Sequence, residues 1–361
     1  MRILLTGGGT AGHTWPLVLV AKSLVTNKSV SLLYIGSHQG IEKNIACNFN
    51  IPFKGLVVGK RRTYFSIANL WDLIKFFIGI IQGLFVLLFF RPNVVFAKGG
   101  YATVPIIFWL RLFKIPLVIH ESDAVVGRAN LWAGKIAKKI CLGFPIEVYN
   151  RQIDDYRPDL LLEKLIYTGT PVNPEFLQTP IITGDKLKLL ITGGSQGSQK
   201  INYLISQILP SLLQKYEIWH LAGETFYDEL KRIDNPNYHL FKFSFDLPKY
   251  MRDADLIITR AGAGTLSEIS ALSKPAIIIP IEKSAQNHQI ANAKVYAKQN
   301  AAVVLSEKNL SSSSLESIID SLMKDKEMRN LLGHHAHGFY QKEATNSIIE
   351  EIYEAAKHAK N

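Results

Sequence analysis

Residues 255–268 read Asp255-Leu-Ile-Ile-Thr-Arg-Ala-Gly-Ala-Gly-Thr-Leu-Ser-Glu268. The apolar, β-branched run Leu256–Thr259 predicts a buried parallel strand. Gly262 and Gly264 interrupt the run, and a helical pattern begins at Thr265. A strand, a glycine turn and a helix in this order present backbone N–H groups and the positive end of a helix dipole. That arrangement is typical of a diphosphate site.

Glu268 lies one turn into the predicted helix. Its carboxylate cannot bind phosphate, but it can accept two hydroxyl hydrogen bonds, as a ribose diol would offer. An ordinary βα turn with a solvated glutamate has the same pattern, so these residues alone leave both interpretations open.

Length and composition favour a globular protein of two α/β domains. The chain has 361 residues, 47% of them hydrophobic and 20% charged, which excludes a disordered chain. The net charge of +11 includes no long polybasic block, so it indicates attraction to phosphates and an anionic membrane surface rather than to nucleic acid. Cys47 and Cys141 give no disulfide framework and no metal-binding spacing. The N-terminus lacks signal-peptide features, which predicts a cytoplasmic protein.

The N-terminal region also predicts a strand, Arg2–Thr6, followed by the glycine turn Gly7-Gly-Gly-Thr-Ala-Gly12. Three of these glycines match the spacing of a dinucleotide fingerprint. A nicotinamide enzyme would place a carboxylate at the end of the second strand, whereas this chain has Tyr34-Ile-Gly-Ser-His38 there. The turn therefore favours phosphate binding but not NAD.

The pattern of strand, Thr-Gly-Gly and helix restarts at Lys188-Leu-Leu-Ile-Thr-Gly-Gly-Ser-Gln-Gly197, after a junction rich in proline and glycine at Tyr167–Pro174. This internal echo predicts two Rossmann-like halves with parallel sheets. We expect an N-terminal domain at 1–166, a second domain at 167–343, and a final helix within 344–361 that packs back on the first domain.

Phe76–Phe90 is almost entirely apolar. At about 15 residues it is shorter than the ~20 needed to span a bilayer. It could be a buried core helix. Alternatively, it could pack one face inward and dip the other into a membrane, with Lys60, Arg61, Arg62 and Lys75 near anionic headgroups. We expect peripheral attachment.

Two echoing halves whose glycine turns face a common cleft resemble the GT-B glycosyltransferase fold. Within it, the chain resembles the MurG family of bacterial peptidoglycan glycosyltransferases. Six motifs carry this resemblance in the same order: Gly8-Gly-Thr-Ala-Gly-His-Thr-Trp-Pro16, Lys98-Gly-Gly-Tyr101, His120-Glu121, Gly193-Gly-Ser-Gln-Gly197, Arg260–Glu268 and Asn287-His-Gln289.

The resemblance implies a binding site for uridine-diphosphate N-acetylglucosamine (UDP-GlcNAc) mainly in the second half. Glu268 would hold the ribose hydroxyls, Gln289 the sugar hydroxyls, and Ser244 would lie beside uracil. The other implied substrate-binding residues are Thr10, Ala11, Gly12, Asp123, Asn173, Gly194, Ser195, Ala263, Gly264, Thr265, Leu266 and Ser267. Three of these depart from the family pattern, since Ala11 replaces glycine, Asp123 asparagine and Asn173 a common arginine.

The implied reaction is an inverting transfer of GlcNAc to the 4-hydroxyl of muramic acid on undecaprenyl-diphosphate-linked MurNAc-peptide, which converts lipid I to lipid II. His13 would be the general base, with Glu121 and Asp123 as alternatives. No cofactor and no metal are expected, because helix N-termini and glycine-turn amides can stabilise the leaving diphosphate. The enzyme would act at the cytoplasmic face of the cell membrane.

Two other functions remain open from the sequence. One is a related GT-B transferase or a UDP-sugar epimerase, which would use a different acceptor or none. The other is a non-catalytic membrane protein that binds nucleotide sugars. The long apolar segment favours a lipid-linked acceptor, and the presence of His13, Glu268 and Gln289 together favours catalysis.

Overall fold

The computed structural model describes residues 1–8, 11–38, 40–59, 68–150, 162–178, 186–194, 197–282 and 284–357, with the backbone alone at 11, 13, 68–70, 162 and 285. The chain forms two compact units. The first consists of Met1–Ser122, Val126–Pro171 and Glu343–Asn361, and the second of Asp123–Val125 and Val172–Lys342.

A parallel sheet of seven described strands forms the first unit: β1 (Arg2–Thr6), β2 (Ser31–Ser37), β3 (Phe53–Leu56), β4 (Val94–Ala97), β5 (Leu117–Glu121), β6 (Lys139–Leu142) and β7 (Leu165–Tyr167). Their order is β3-β2-β1-β4-β5-β6-β7. Ile3 pairs with Leu32 on one side and with Val94 on the other. The strand order therefore reverses between β1 and β4.

Helices connect these strands: α1 (Ala11–Val25), α2 (Ile41–Asn48), α3 (Ala68–Phe90), α4 (Val104–Phe113) and α5 (Arg128–Gly134). The β1 residues Ile3, Leu4 and Leu5 are completely buried. An apolar run without alternation is what a parallel strand covered on both faces requires.

The second unit repeats this plan with six described parallel strands: β8 (Lys188–Thr192), β9 (Glu217–Leu221), β10 (Tyr238–Phe241), β11 (Leu256–Thr259), β12 (Ala276–Ile278) and β13 (Val303–Val304). Their order is β10-β9-β8-β11-β12-β13. The reversal here falls between β8 and β11, at equivalent positions to β1 and β4. The predicted pair of Rossmann-like α/β halves is confirmed.

The helices of the second unit are α6 (Gln199–Lys215), α7 (Glu224–Leu230), α8 (Leu247–Asp253), α9 (Ala263–Ala271), α10 (His288–Lys298), α11 (Ser312–Lys324) and α12 (Lys326–His337). Single 3-10 turns occur in both units. They are Ile146–Tyr149 and Leu162–Lys164 in the first unit, and Pro174–Leu177, Ala285–Asn287 and Glu307–Asn309 in the second. Helix α6 starts at the N-cap Ser198, whose hydroxyl accepts a hydrogen bond from the Ile201 N–H, a side-chain contact that satisfies one free donor of the first turn.

The last helix, α13 (Ala344–Lys357), belongs to the first unit. Ile348 and Ile352 are completely buried there and join the same apolar core as Leu17 and Val18 of α1. The chain therefore leaves the first unit at Pro171, builds the second, and returns to complete the first.

Helix α3 is longer than its apolar pattern indicated. It has 23 residues, and Trp71–Phe90 is long and apolar enough to cross a membrane by length and composition alone. Our prediction of a segment too short to span was wrong in its length. The predicted length counted only the apolar stretch Phe76–Phe90, but Asp72 and Lys75 before it do not end a helix whose other residues favour it.

One face of α3 packs within the first unit. The Trp109 indole N–H of α4 donates to the Ile80 carbonyl at 2.8 Å, and the Val57 N–H donates to Gln82 Oε1 at 2.8 Å. The opposite face is exposed and apolar, at Trp71, Leu73, Ile74, Phe77, Ile78, Ile81, Phe85, Leu88 and Phe89. Helix α3 therefore packs one face within the first unit and exposes an apolar surface on the opposite face.

Candidate active site

The carboxyl ends of β8 and β11 lie side by side in the second unit, where Thr192 pairs with Thr259. This is the point at which the strand order reverses. Ligands of doubly wound sheets bind in the crevice outside the strand ends at such a point. Two predicted motifs follow these two strands directly, the turn after Thr192 and the turn after Thr259.

Three glycines of these turns face open space, whereas Gly193 and Gly197 of the turn after β8 are closely packed. A Cβ built on Gly194, Gly262 or Gly264 would meet no described atom within 4 Å. In the first unit, by contrast, a Cβ on Gly8 would collide with the Glu42 carboxylate. Packing within the described residues therefore explains the glycine after β1, as it does Gly193 and Gly197, but it does not explain Gly262 or Gly264. At Gly194 the φ of +79° itself favours glycine. The space beside Gly194, Gly262 and Gly264 leaves room for a ligand close to the backbone.

Helix α9 begins at this edge with Gly262 as its N-cap. Ala263, Gly264 and Thr265 form its first turn, whose N–H groups have no partner within the helix. The dipole of the helix adds positive potential at the same place. Of the other predicted residues, Leu266 is completely buried, and the Ser267 hydroxyl donates to the Ala263 carbonyl at 2.9 Å. Their side chains belong to the helix and its packing.

Glu268 lies in the second turn of α9 and is partly buried. Burial raises the pKa of its carboxyl from 4.5 to about 8. A carboxyl group whose pKa lies near neutral pH exchanges its proton readily. It can form hydrogen bonds as a donor when protonated and as an acceptor in either form. Both properties suit contact with a diol.

Ser244 follows β10 at the same edge of the sheet. Its hydroxyl accepts the Asp246 N–H at 3.0 Å, which shapes a tight loop. Phe243 and Phe245 flank it, with ring centroids 5.0 Å apart and with 58% and 81% of their surfaces exposed. Two exposed aromatic rings beside a fixed backbone are suited to stacking on a planar base.

Gln289 lies at the start of α10. Its Oε1 accepts the Ile281 N–H at 3.0 Å, and its own N–H donates to the Ser284 hydroxyl at 3.3 Å. The side-chain amide nitrogen is a hydrogen-bond donor on a group whose oxygen is already fixed. Gln289 is therefore oriented by its loop.

Asp123 belongs to the second unit, although the sequence interpretation assigned it to the first domain. The Asn292 amide of α10 donates to Asp123 Oδ1 at 2.8 Å and to the Ala261 carbonyl at 3.0 Å. Asn292 Oδ1 accepts the Ala124 N–H at 2.7 Å. This buried amide fixes Asp123 beside the turn after β11.

Asn173 caps a local turn. Its Oδ1 accepts the Glu175 N–H at 3.3 Å, and its Nδ2 donates to Glu175 Oε2 at 3.1 Å. The turn Pro174–Leu177 lies against α9. The structure thus places Asn173 close to the helix that bears Glu268, with its amide engaged in capping.

Glu121 is the last residue of β5 in the first unit and is only 2% exposed. Its Oε2 accepts the Gly127 N–H at 2.8 Å and the Asn130 amide at 2.9 Å. The neighbouring His120 ring lies 2.9 Å from the Gly169 carbonyl oxygen. These contacts give the Glu121 carboxylate a role in holding the loop that leads into α5.

The remaining predicted residues are described in part or not at all. Gly12 and the backbones of Ala11 and His13 lie in the first turn of α1. Thr10 and Ser195 lie outside the described residues. The His13 side chain also lies outside them, so the structure does not place its imidazole.

Sequence reasoning missed Asn292, Asn130 and Arg260 as organising residues. Arg260 donates to the Ile279 carbonyl at 2.9 Å and to Glu307 Oε1 at 2.7 Å, which ties the turn after β11 to the end of β12. A signal existed for Asn292, since it lies three residues after Gln289 and this spacing puts both on one helix face. None existed for the contact between Asn292 and Asp123, which are 169 residues apart.

Family models match both halves of the chain. Residues 3–142 match the glycosyltransferase family 28 N-terminal domain, and residues 188–352 match the C-terminal domain of the same family. A protein of Clostridium kluyveri is 36% identical over 362 residues, covering 97% of this chain and 98% of the relative. Its name is UDP-N-acetylglucosamine--N-acetylmuramyl-(pentapeptide) pyrophosphoryl-undecaprenol N-acetylglucosamine transferase.

Solved structures share the fold. The crystal structure of Acinetobacter baumannii MurG matches with a TM-score of 0.73 and 25% identity, covering 98% of this chain and 99% of that one. UDP-GlcNAc 2-epimerase from Neisseria meningitidis, bound to UDP-GlcNAc, matches with a TM-score of 0.68 and 14% identity, covering 98% and 100%. The second likeness concerns the fold alone.

Proposed function

The chain belongs to glycosyltransferase family 28, and from this premise we propose that it transfers GlcNAc from UDP-GlcNAc to N-acetylmuramyl-(pentapeptide) pyrophosphoryl-undecaprenol. It is a hexosyltransferase of peptidoglycan synthesis. The muramic acid 4-hydroxyl attacks the anomeric carbon, UDP leaves from the opposite face, and the configuration inverts.

The donor site lies at the carboxyl ends of β8 and β11. The observation that carries this assignment is the open space beside Gly194, Gly262 and Gly264. Open space beside these residues, after two adjacent strands where the order reverses, leaves room for a diphosphate against the backbone. Glu268 contacts the ribose, Gln289 and Asp123 the sugar, and the loop at Ser244 the uracil.

Charge that develops on the departing diphosphate is stabilised by fixed dipoles. The first-turn N–H groups of α9 and the backbone at Gly193 and Gly194 are oriented before the substrate binds, so they need no reorganisation during the reaction. Asn173 supplies no positive charge here, unlike the arginine common in the family. The backbone and the helix dipole therefore carry a larger share of this stabilisation.

His13 is the proposed base for the acceptor hydroxyl. It lies in the first turn of α1, where the helix dipole disfavours a positively charged ring. Glu121 is the weaker candidate because its Oε2 already accepts hydrogen bonds from Gly127 and Asn130 within a buried site. A carboxylate engaged in this way is poorly available for proton transfer.

The exposed apolar face of α3 supports a peripheral position at the cytoplasmic side of the membrane. Exposed basic residues accompany it, at Lys75, Arg91, Arg111 and Lys114. Apolar side chains can enter the headgroup region while lysine and arginine contact anionic lipids. Lys60, Arg61 and Arg62, which were expected to contribute, lie outside the described residues. The undecaprenyl chain of the acceptor is held in the same membrane.

The decisive experiment incubates the protein with UDP-GlcNAc and a lipid I analogue. We expect stoichiometric formation of UDP and of a disaccharide product with inverted anomeric configuration. UDP-GlcNAc consumed without acceptor, with appearance of the C2 epimer, would identify an epimerase instead. Nucleotide binding without any turnover would identify a sensor and would overturn the proposal.

A further inference from the structure

A buried chain of polar side chains lies behind the turn that follows β8. Asn202 on α6, His220 on β9 and Tyr238 at the start of β10 are all buried, with exposed fractions of 1%, 0% and 8%. His220 Nε2 is 3.0 Å from Asn202 Oδ1, and His220 Nδ1 is 3.0 Å from the Tyr238 hydroxyl. The proposed reaction assigns no role to any of these three residues.

The hydrogen bonds in this chain have one consistent direction. The Asn202 amide nitrogen donates to the Ala222 carbonyl at 2.7 Å, which leaves Oδ1 as the acceptor. His220 therefore carries its proton on Nε2, and Nδ1 accepts from the Tyr238 hydroxyl. Burial lowers the pKa of His220 to about 3, so the ring stays neutral in this tautomer. A neutral ring with a fixed tautomer makes the chain rigid.

The Ala222 carbonyl connects this chain to the glycine turn. A Cβ built on Gly197 would lie 2.6 Å from the Ala222 oxygen and 3.1 Å from Gly223 Cα. Gly197 also has a φ of +73°, and its N–H donates to the Gly194 carbonyl at 3.0 Å. The position of Ala222 thus sets that of Gly197, which in turn contacts Gly194.

We propose that Asn202 and His220 are positioning residues for the diphosphate-binding turn after β8. The Asn202 amide nitrogen holds the Ala222 carbonyl against which Gly197 packs. His220 in turn holds the Asn202 amide oxygen. They contact no substrate. This inference rests on the proposed function, because it assumes that Gly194 lies beside the donor diphosphate.

The inference predicts a selective defect. If the turn loses its support, contacts to the diphosphate weaken, while contacts to uracil and ribose, made by other elements, do not. A loss of general stability would weaken the binding of both UDP and uridine or of neither. The ratio of the two affinities therefore separates positioning from stability.

The experiment measures UDP and uridine binding by calorimetry, with uridine measured in competition. For Asn202→Ala we expect UDP affinity to fall about tenfold, equivalent to one charged hydrogen bond, while uridine affinity changes less than twofold. His220→Ala should act in the same direction, and His220→Gln, which keeps a donor, should restore part of the affinity. Ile208→Ala, also buried on α6, is the matched control and should leave the ratio unchanged.

Gly197→Ala disturbs the same turn directly and without a cavity in the core, because a side chain is strained at its φ of +73° and the added methyl group would collide with the Ala222 carbonyl. It should reproduce the selective loss even if Asn202→Ala does not fold. Equal losses for both ligands, or a selective loss in Ile208→Ala, would overturn the inference while leaving the proposed function intact. Failure of the wild-type protein to bind UDP would overturn the proposed function, and the inference with it.

Discussion

Glu268, the proposed contact to the ribose, lies in an environment that disfavours its negative charge. Its pKa is raised to about 8 by burial, whereas the same carboxyl in an unfolded chain has a pKa of 4.5. The folded state therefore binds this proton more tightly than the unfolded state does. Stability contributed by the protonated form is complete below about pH 4.5 and is lost as the pH rises through 8.

We predict that Glu268→Gln removes this loss. The free energy of unfolding of the wild type should fall relative to the variant between about pH 5 and 8, and the difference should be flat outside that window. Because the side chain is only partly buried and solvent screens it, we expect a change of about 1–2 kcal/mol. Urea unfolding at a series of pH values measures it. A difference that does not change with pH would show that the pKa of Glu268 is the same in the folded and unfolded states.

His13→Ala tests the proposed general base. With both substrates saturating, turnover should fall by about 10²–10⁴-fold, the usual contribution of a base, while the dissociation constant for UDP stays nearly constant. Steady-state kinetics and calorimetry together give both quantities. Unchanged turnover with weakened UDP binding would make His13 a phosphate ligand. Glu121 would then be tested in the same way.

The side-chain partners of these residues were not predictable from the sequence. The pattern around Glu268 was local, since a strand, two glycines and a helix occupy consecutive residues, and the structure has them as expected. Asp123 instead depends on Asn292, 169 residues away. No periodicity or spacing records such a contact, because it arises only when the chain folds.

At the scale of one element, α3 provides the clearest membrane test. Phe77 is 56% exposed on its apolar face, and burying such a side chain in lipid contributes about 1.5–3 kcal/mol. We predict that Phe77→Asp weakens binding to anionic vesicles at least tenfold and leaves turnover with a soluble acceptor analogue unchanged. Vesicle sedimentation measures the binding, which should also weaken as salt increases.

Leu331→Asp is the control, because Leu331 on α12 is 47% exposed but lies in the other unit. It should bind vesicles like the wild type. Alkaline carbonate should release the wild-type protein from membranes. Retention after carbonate would indicate that α3 spans the bilayer, and equal binding by the Phe77 variant would exclude this face from attachment.

The error over the length of α3 has a physical basis. The C-terminal end of α3 was predictable, because Arg91 and Pro92 follow Phe90 and proline disfavours helical geometry in the residue before it. The N-terminal end has no such stop. Asp72 and Lys75 are compatible with helix, so the boundary could not be located from charge alone.

At the scale of the whole molecule, α13 makes the first unit depend on the end of the sequence. A chain that stops at Lys342 loses the buried Ile348 and Ile352, each contributing about 1.5–3 kcal/mol. We predict that calorimetry of this truncated chain shows unfolding of the first unit at a markedly lower temperature. The transition that UDP shifts upward, assigned to the second unit, should be retained.

Glu350→Ala is the matched control for the truncation, since Glu350 is an exposed residue of the same helix. It should leave both transitions in place. Loss of the UDP-dependent transition in the truncated chain would show that the second unit needs α13, contrary to the division of the core.

The two halves were predictable because each repeats a strand, Thr-Gly-Gly and a helix. The exchange of Asp123–Val125 into the second unit was not. These three residues follow a strand of the first unit and carry no composition signal of their own. Their placement depends on the amide of Asn292.

The return of α13 also sets the order of events during protein synthesis. The first unit emerges from the ribosome without its last helix, and the second unit must be made before that helix appears. At the usual ~5–20 residues per second, this interval lasts roughly 10–30 s. Throughout it, the α1 surface that will contact Ile348 is uncovered, as is the outer face of α3. The nascent chain therefore carries two apolar surfaces at once, and among the described residues only the α1 surface is later buried, by α13.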